Sequence, residues 1–389
     1  MNRVQQLFLS LISSALTGKH FKITIDDGEF KSLENIAIVN KCLPLLYQGC
    51  VNCGIAAPLQ WKHSASFIVM DSHRKLTVEN EILNILKDNN IRACILKGSS
   101  VAMNYPNPLA RSMGDIDILV DESNYEKAVL LFTTGEAFEK NNHGFHTEFY
   151  HKGIDVEIHK SILDYADYNS GIGAIMNNAM DCIEQKLCDS FLVPVLSDAH
   201  QAISLLTHMI RHLKENKFVF RLYTDWVAFA LSVNPCKWQS DVLPSLQKTG
   251  LEPLADALNS ASAVCMNISI PHRSNNSFSK DFCTLLIEEF LSVDKSGTPD
   301  GLDYNIGNLL SHRGAVSQNK ISTAFSALNY IAKTNYSLGR IKLFLPLLWI
   351  YIPLRYFCNV LIGKRKKLNF KKVISSAKRR DVIYNELNL

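Results

Sequence analysis

Gly114-Asp115-Ile116-Asp117-Ile118-Leu119-Val120 is the stretch on which the fold turns. Ile116, Ile118 and Val120 alternate with Asp115, Asp117 and Leu119, the period of a strand with one buried face. Two carboxylates at i and i+2 then share the opposite face. That pair suits a divalent ion, because hard cations such as magnesium take oxygen ligands and only a few carboxylates beside phosphates and water. A third carboxylate from a neighbouring antiparallel strand would complete the site. The alternating run Ile154 to His159 supplies one, with Ile154, Val156 and Ile158 on one face and Asp155, Glu157 and His159 on the other. Glu157 is the first choice and Asp155 the second.

Working upstream, Ile91 to Leu96 reads as a short buried strand, ended by Lys97-Gly98-Ser99-Ser100 at the start of a helix. Backbone N–H groups and a serine hydroxyl at such a turn can hold phosphate oxygens. Tyr105-Pro106-Asn107-Pro108 is a loop, and Arg111, four residues before Asp115, is a candidate to neutralise triphosphate charge. Downstream, a helix is expected over Tyr125 to Phe132 with Ser123 as its N-cap, then a hairpin of Thr147 to Tyr150 and Ile154 to His159 turning at Lys152-Gly153. Each piece alone has an ordinary reading: a solvated strand end, a plain turn, a loop charge. Their order is what suggests a shared metal and phosphate site.

The pattern of Gly98-Ser99 followed by Asp115-Ile116-Asp117 resembles the signature of the DNA polymerase beta-type nucleotidyltransferase superfamily. The longer set, Ile95-Leu96-Lys97-Gly98, Tyr105-Pro106, Arg111, Asp115 to Val120 and Val156-Glu157-Ile158-His159, is similar to a bacterial branch described as uncharacterised nucleotidyltransferases. Leu205 to Trp226, with His208, His212, Arg221 and Asp225, resembles that branch too, as does the apolar end near 345–355. The resemblance implies an α+β fold, a polymerase beta-like core of a small mixed sheet with flanking helices. It implies metal binding by Asp115, Asp117 and Glu157 and triphosphate contact by Gly98 and Ser99. Lys160 stands where the branch has an aromatic residue, which bears on the acceptor surface and not on the carboxylates.

The rest of the chain frames this core. With 389 residues, 47% hydrophobic and 20% charged, it has length for two or three subdomains and the composition of a folded protein. The segments expected are an N-terminal helical region over 1–90, the catalytic core over 91–165, a helical domain over 166–339 and an apolar, basic segment over 340–389. Within the helical domain the better helices are 198–213, 221–233, 253–265, 281–292 and 321–333. Ten scattered cysteines with no secretory signal read as reduced thiols in a cytoplasmic protein, and Cys50-x-x-Cys53 without a second pair is not a zinc site. His208 and His212 lack a third ligand, and Arg221 can pair with Asp225 at i, i+4, or one of the two reaches the nucleotide cleft.

Residues 340–380 hold twelve Lys or Arg and no Asp or Glu, so against the whole chain's +4 the remainder is net negative by eight. The apolar run 343–362 has the length of a span, but Pro346, Pro353, Arg355 and Asn359 interrupt it. With Lys364-Arg365-Lys366-Lys367 behind it, an interfacial segment on an anionic membrane surface, at the inner face, fits better than a span. A buried helix with a solvated basic end is the competing reading.

Together these readings describe an enzyme moving an NMP group from an NTP to an acceptor hydroxyl, with Mg2+ or Mn2+ as cofactor. The acceptor, whether small molecule, glycan, protein or RNA, is not legible. Two alternatives stand beside it: an Asp-x-Asp nucleotide-sugar glycosyltransferase, and a non-catalytic nucleotide-binding, membrane-associated protein.

Overall fold

A computed structural model of the chain describes residues 1–133, 138–142, 146–162, 170–214, 218–272, 276–291, 328–329, 332, 336, 342–363 and 370–389. The expected helix over 321–333 and the run Lys364 to Lys367 lie outside these residues, except for isolated positions of the former.

The chain opens with four helices: α1 (Arg3–Thr17), α2 (Asp27–Val39), α3 (Leu43–Asn52) and α4 (Leu59–Asp88). Asn2 with Gln5 and Asp26 with Glu29 form reciprocal capping boxes that start α1 and α2. The helix α4 ends where Asn89 and Asn90 take over, Asn90 at a left-handed φ of 57°. Then come β1 (Ala93–Ile95), the one-turn helix α5 (Ser99–Ala102), β2 (Ile116–Val120) and α6 (Tyr125–Thr133). Ser123 lies inside a short 3-10 turn before α6, where Asp121 holds the capping position with no side-chain bond. The strands β3 (Phe138–Asn142), β4 (His146–His151) and β5 (Ile154–His159) follow, then α7 (Ser170–Met176) and a hairpin of β6 (Glu184–Cys188) and β7 (Phe191–Val195). The helices α8 (Asp198–Lys214), α9 (Phe220–Ser232), α10 (Pro235–Lys237), α11 (Leu243–Thr249), α12 (Glu252–Met266) and α13 (Lys280–Leu291) come next, and α14 (Leu345–Leu361) and α15 (Phe370–Leu387) lie near the end.

Among the described residues, seven strands form one mixed sheet in the order β3-β4-β5-β2-β1-β7-β6. The fold is α+β with a mixed sheet and flanking helices, as the resemblance implied. Two features differ from expectation. The pattern was expected to turn helical after about residue 160, yet β6 and β7 extend the sheet, with β7 parallel to β1. And β5 lies parallel to β2, not antiparallel, because the chain returns through α6, β3 and β4 before pairing Asp117 with Glu157.

One face of the sheet makes the main core. Ile116, Ile118 and Val120 pack there with Leu76, Ile82 and Leu86 of α4 and with Tyr125, Ala128 and Phe132 of α6. On the other face Leu119 joins Cys94, Leu96, Ala179 and Leu196 in a smaller cluster. The carboxylates stand on that second face, beside this cluster. By compactness the chain forms two units, 1–209 with 219–284, and 210–218 with 285–389; the sheet belongs wholly to the first.

Candidate active site

Asp115 is the last residue before β2 and is exposed, while Asp117 inside the strand is fully buried. In-register pairing of β2 with β5 sets Glu157 directly opposite Asp117. Ligand atoms of Asp115, Asp117 and Glu157 all lie within 4.8 Å of one another. Two partners converge on one oxygen of Asp117: Lys97 Nζ at 2.7 Å and His159 Nε2 at 3.1 Å from Oδ1. Its other oxygen, Oδ2, is buried and meets no hydrogen-bond donor. A buried carboxylate oxygen without a partner is costly. With two more carboxylates beside it, a divalent cation fits that vacancy in the bonding. Asp115, Asp117 and Glu157 would hold it, all through oxygen.

The charges are interlocked. Burial opposes ionisation of Asp117, but Lys97 and His159 overcome it and hold the carboxyl well below the usual range. The neighbouring Asp117 charge, with burial, pushes Asp115 upward. Burial works against a charged His159, yet its hydrogen bonds to Asp117 and Glu157 raise it overall.

Lys97 thus stands at the cluster, though committed to the Asp117 carboxylate. Gly98 has φ 66° and ψ −115°, a conformation L side chains rarely adopt, so glycine is required for the turn out of β1. The expected phosphate contact of Ser99 is not what the geometry presents. Ser99 is buried, and both its hydroxyl and its N–H donate to Glu79 of α4. The helix that follows has only four residues, so its dipole is small.

Arg111 is also placed differently from expectation. It is buried and bidentate on Asp225 of α9, Nε to Oδ1 at 2.6 Å and Nη2 to Oδ2 at 2.8 Å, while Nη1 donates to the Gly98 carbonyl at 3.3 Å. Tyr105 completes the group, its hydroxyl 2.7 Å from Asp225 Oδ1. The arginine therefore ties α9 to the glycine turn and does not face an open cleft. Arg221 is not the partner of Asp225: its Nη1 donates to the Ser112 carbonyl. Lys75 Nζ donates to the next carbonyl, Met113 O, at 2.9 Å and pairs with Asp71 Oδ2 at 2.7 Å. Asn40 caps the start of α9 through Phe220 N at 2.9 Å, which brings its neighbour Lys41 near Arg221. Partial desolvation and the Arg221 charge lower Lys41, with Asp115 opposing. Lys41, Lys75 and Arg221 are thus cations gathered around the approach to Asp115; the sequence singled out only Arg221 of the three. His208 and His212 belong to no metal-capable group among the described residues.

Glu79 makes a prediction of its own. Burial raises its carboxyl from the ordinary 4.5 to about 8. A folded value above the unfolded one means that its contribution to stability is full below the unfolded value and is lost as pH climbs to about 8. Glu79→Gln has no proton to lose. It should remove on the order of a few kcal/mol of the wild type's decline in stability between about pH 5 and pH 9. Urea midpoints of the two proteins across that range measure this; parallel pH curves would contradict it.

A three-carboxylate cluster spans adjacent strands of a mixed sheet, with a glycine turn beside it and cations around the approach. The chain belongs to the uncharacterised nucleotidyltransferase family, whose model matches residues 26–263 and so includes every residue of this site. No curated protein matches the chain.

Proposed function

We propose that the protein transfers an NMP group from an NTP to an acceptor hydroxyl with release of pyrophosphate, and that Mg2+ or Mn2+ is held by Asp115, Asp117 and Glu157. The observation that carries this reading is the unpartnered, buried Oδ2 of Asp117 between two further carboxylates. When bound, the metal supplies Lewis-acid charge to phosphate oxygens and lowers the pKa of an attacking hydroxyl. The chain's own residues do the rest. Lys97 and His159 fix the Asp117 carboxylate, which frees Oδ2 for the ion. Glu157, partly open to solvent, completes the ligand set or accepts the acceptor's proton. Lys41 and Arg221 meet the triphosphate charge in place of Arg111, which is committed to Asp225.

The test uses each NTP labelled at the α or the γ phosphate, Mg2+ or Mn2+, and a cell extract as source of acceptors. Label from the α position should move to an acceptor while γ label leaves as pyrophosphate. Transfer of sugar from a nucleotide sugar would favour the glycosyltransferase instead, and nucleotide binding without pyrophosphate release a non-catalytic role.

A membrane surface is the proposed location. Leu347, Ile350, Leu354, Phe357 and Leu361 recur at spacings of three and four along α14, and all are exposed. Among the described residues no helix is long and apolar enough to cross a membrane. An amphipathic helix joined in sequence to Lys364-Arg365-Lys366-Lys367 suits an anionic interface. The full chain should float with anionic vesicles and much less with neutral ones, and Leu354→Glu with Phe357→Glu should leave it unbound. Equal distribution of both proteins would remove the proposal.

A further inference from the structure

Beside the oxygen-only cluster lies a group of different chemistry. Antiparallel pairing of β4 with β5 sets His146 directly opposite His159, and Glu148 opposite Glu157. Side chains two apart on a strand share a face, so His146, Glu148, Glu157 and His159 stand on the face that carries Asp117. The two imidazoles stack, with centroids 4.9 Å apart. Both Nε2 atoms approach Glu157 Oε2, His159 at 3.1 Å and His146 at 3.8 Å; His159 Nε2 also lies 3.1 Å from Asp117 Oδ1 and His146 Nε2 3.7 Å from Glu148 Oε1. Ligand atoms of the three residues all fall within 4.8 Å of one another.

We propose that His146, His159 and Glu157 form a second metal position, adjoining the first through Glu157, which takes a transition-metal dication of the zinc class and not magnesium. Zinc bonds of about 2.0–2.2 Å to nitrogen and oxygen place tetrahedral neighbours roughly 3.4 Å apart, inside the separations found here. Two imidazoles with one carboxylate are the donors zinc and its neighbours prefer, whereas magnesium selects oxygen and water. Both histidines are buried and Glu157 is the half-open member, which gives the ion an entry. The Nδ1 atom of His159 meets no partner, so Nε2 is the atom turned to the cluster; an ion bound there takes it from Asp117 Oδ1, which Lys97 still holds. The inference stands on these side chains; it shares Glu157 with the proposed nucleotide site but does not require NMP transfer.

The test is metal binding by the full-length, metal-stripped protein. One equivalent of Zn2+ should bind and resist displacement by excess Mg2+, and its X-ray absorption spectrum should contain two imidazoles. Co2+ should give the intense visible band of a low-coordinate site. His146→Gln should weaken Co2+ binding by at least about tenfold, since even outer-shell changes cost that much. Asp115→Asn should keep the Co2+ site while losing Mg2+-dependent nucleotide binding, so the two readings fail separately. A wild-type zinc shell without imidazole would overturn the proposal even if the His146 variant did not fold. So would equal Co2+ affinity of wild type and a folded His146→Gln protein.

Discussion

Asp117→Asn is expected to reduce nucleotidyl transfer by about a thousandfold or more, which is about 4 kcal/mol of lost transition-state stabilisation. The substitution keeps the shape of the side chain but removes the charge on which the site converges. In the native protein Lys97 and His159 share Oδ1, leaving Oδ2 without a donor and open to the proposed ion. An amide presents one oxygen, and Lys97 and His159 claim it. The fold bears a smaller cost. A depressed carboxyl contributes stability above its unfolded pKa and loses it as pH falls through the folded value. The variant should therefore be less stable than wild type at neutral pH, and the gap should narrow in acid. Pyrophosphate release, measured at matched fractions of folded protein, checks the first expectation, and urea midpoints at neutral and acid pH check the second.

Arg111→Met is expected to destabilise the fold by about 3–5 kcal/mol, the cost of leaving one partner of a buried ion pair uncompensated. Asp225 would keep the Tyr105 hydroxyl but lose both arms of the guanidinium, and the Gly98 carbonyl would lose its donor. The double change Arg111→Met with Asp225→Leu should recover most of that loss, because no lone charge stays behind. Chemical denaturation of the two variants measures this. If Arg111→Met were as stable as wild type but bound NTP more weakly, the arginine would face the triphosphate, contrary to its place here.

The strands that bear the site were readable because their alternation is clean. Ile116-Asp117-Ile118 and Ile154 to His159 each separate an apolar from a polar face, and the hairpin at Lys152-Gly153 carries its turn residues. The hairpin of β6 and β7 was not readable. Pro194 argues against an inner strand, and the turn at Asp189-Ser190 lacks a glycine, Asp189 taking the left-handed conformation itself at φ 52°. It is tolerated because β7 meets β1 in register only at Val195 with Ile95. The parallel sense of β5 against β2 depends on the path through α6, β3 and β4, which no local pattern encodes. The Arg111–Asp225 pair joins residues 114 apart. Arg221, four residues from Asp225, looked the better partner by helical spacing. Nothing in the sequence sets Glu79 apart from other polar residues of α4. Only its burial against Ser99 reveals that the serine faces inward.

The central claim is that Asp115 and Asp117 hold the ion that carries the nucleotide. The most direct test is a crystal structure of the full chain with Mn2+ and an NTP analogue that cannot be cleaved at the α phosphate, read by anomalous scattering. A manganese peak bonded to Asp115, Asp117 Oδ2 and a phosphate oxygen is the predicted result. A bound nucleotide with no metal against either aspartate would contradict it.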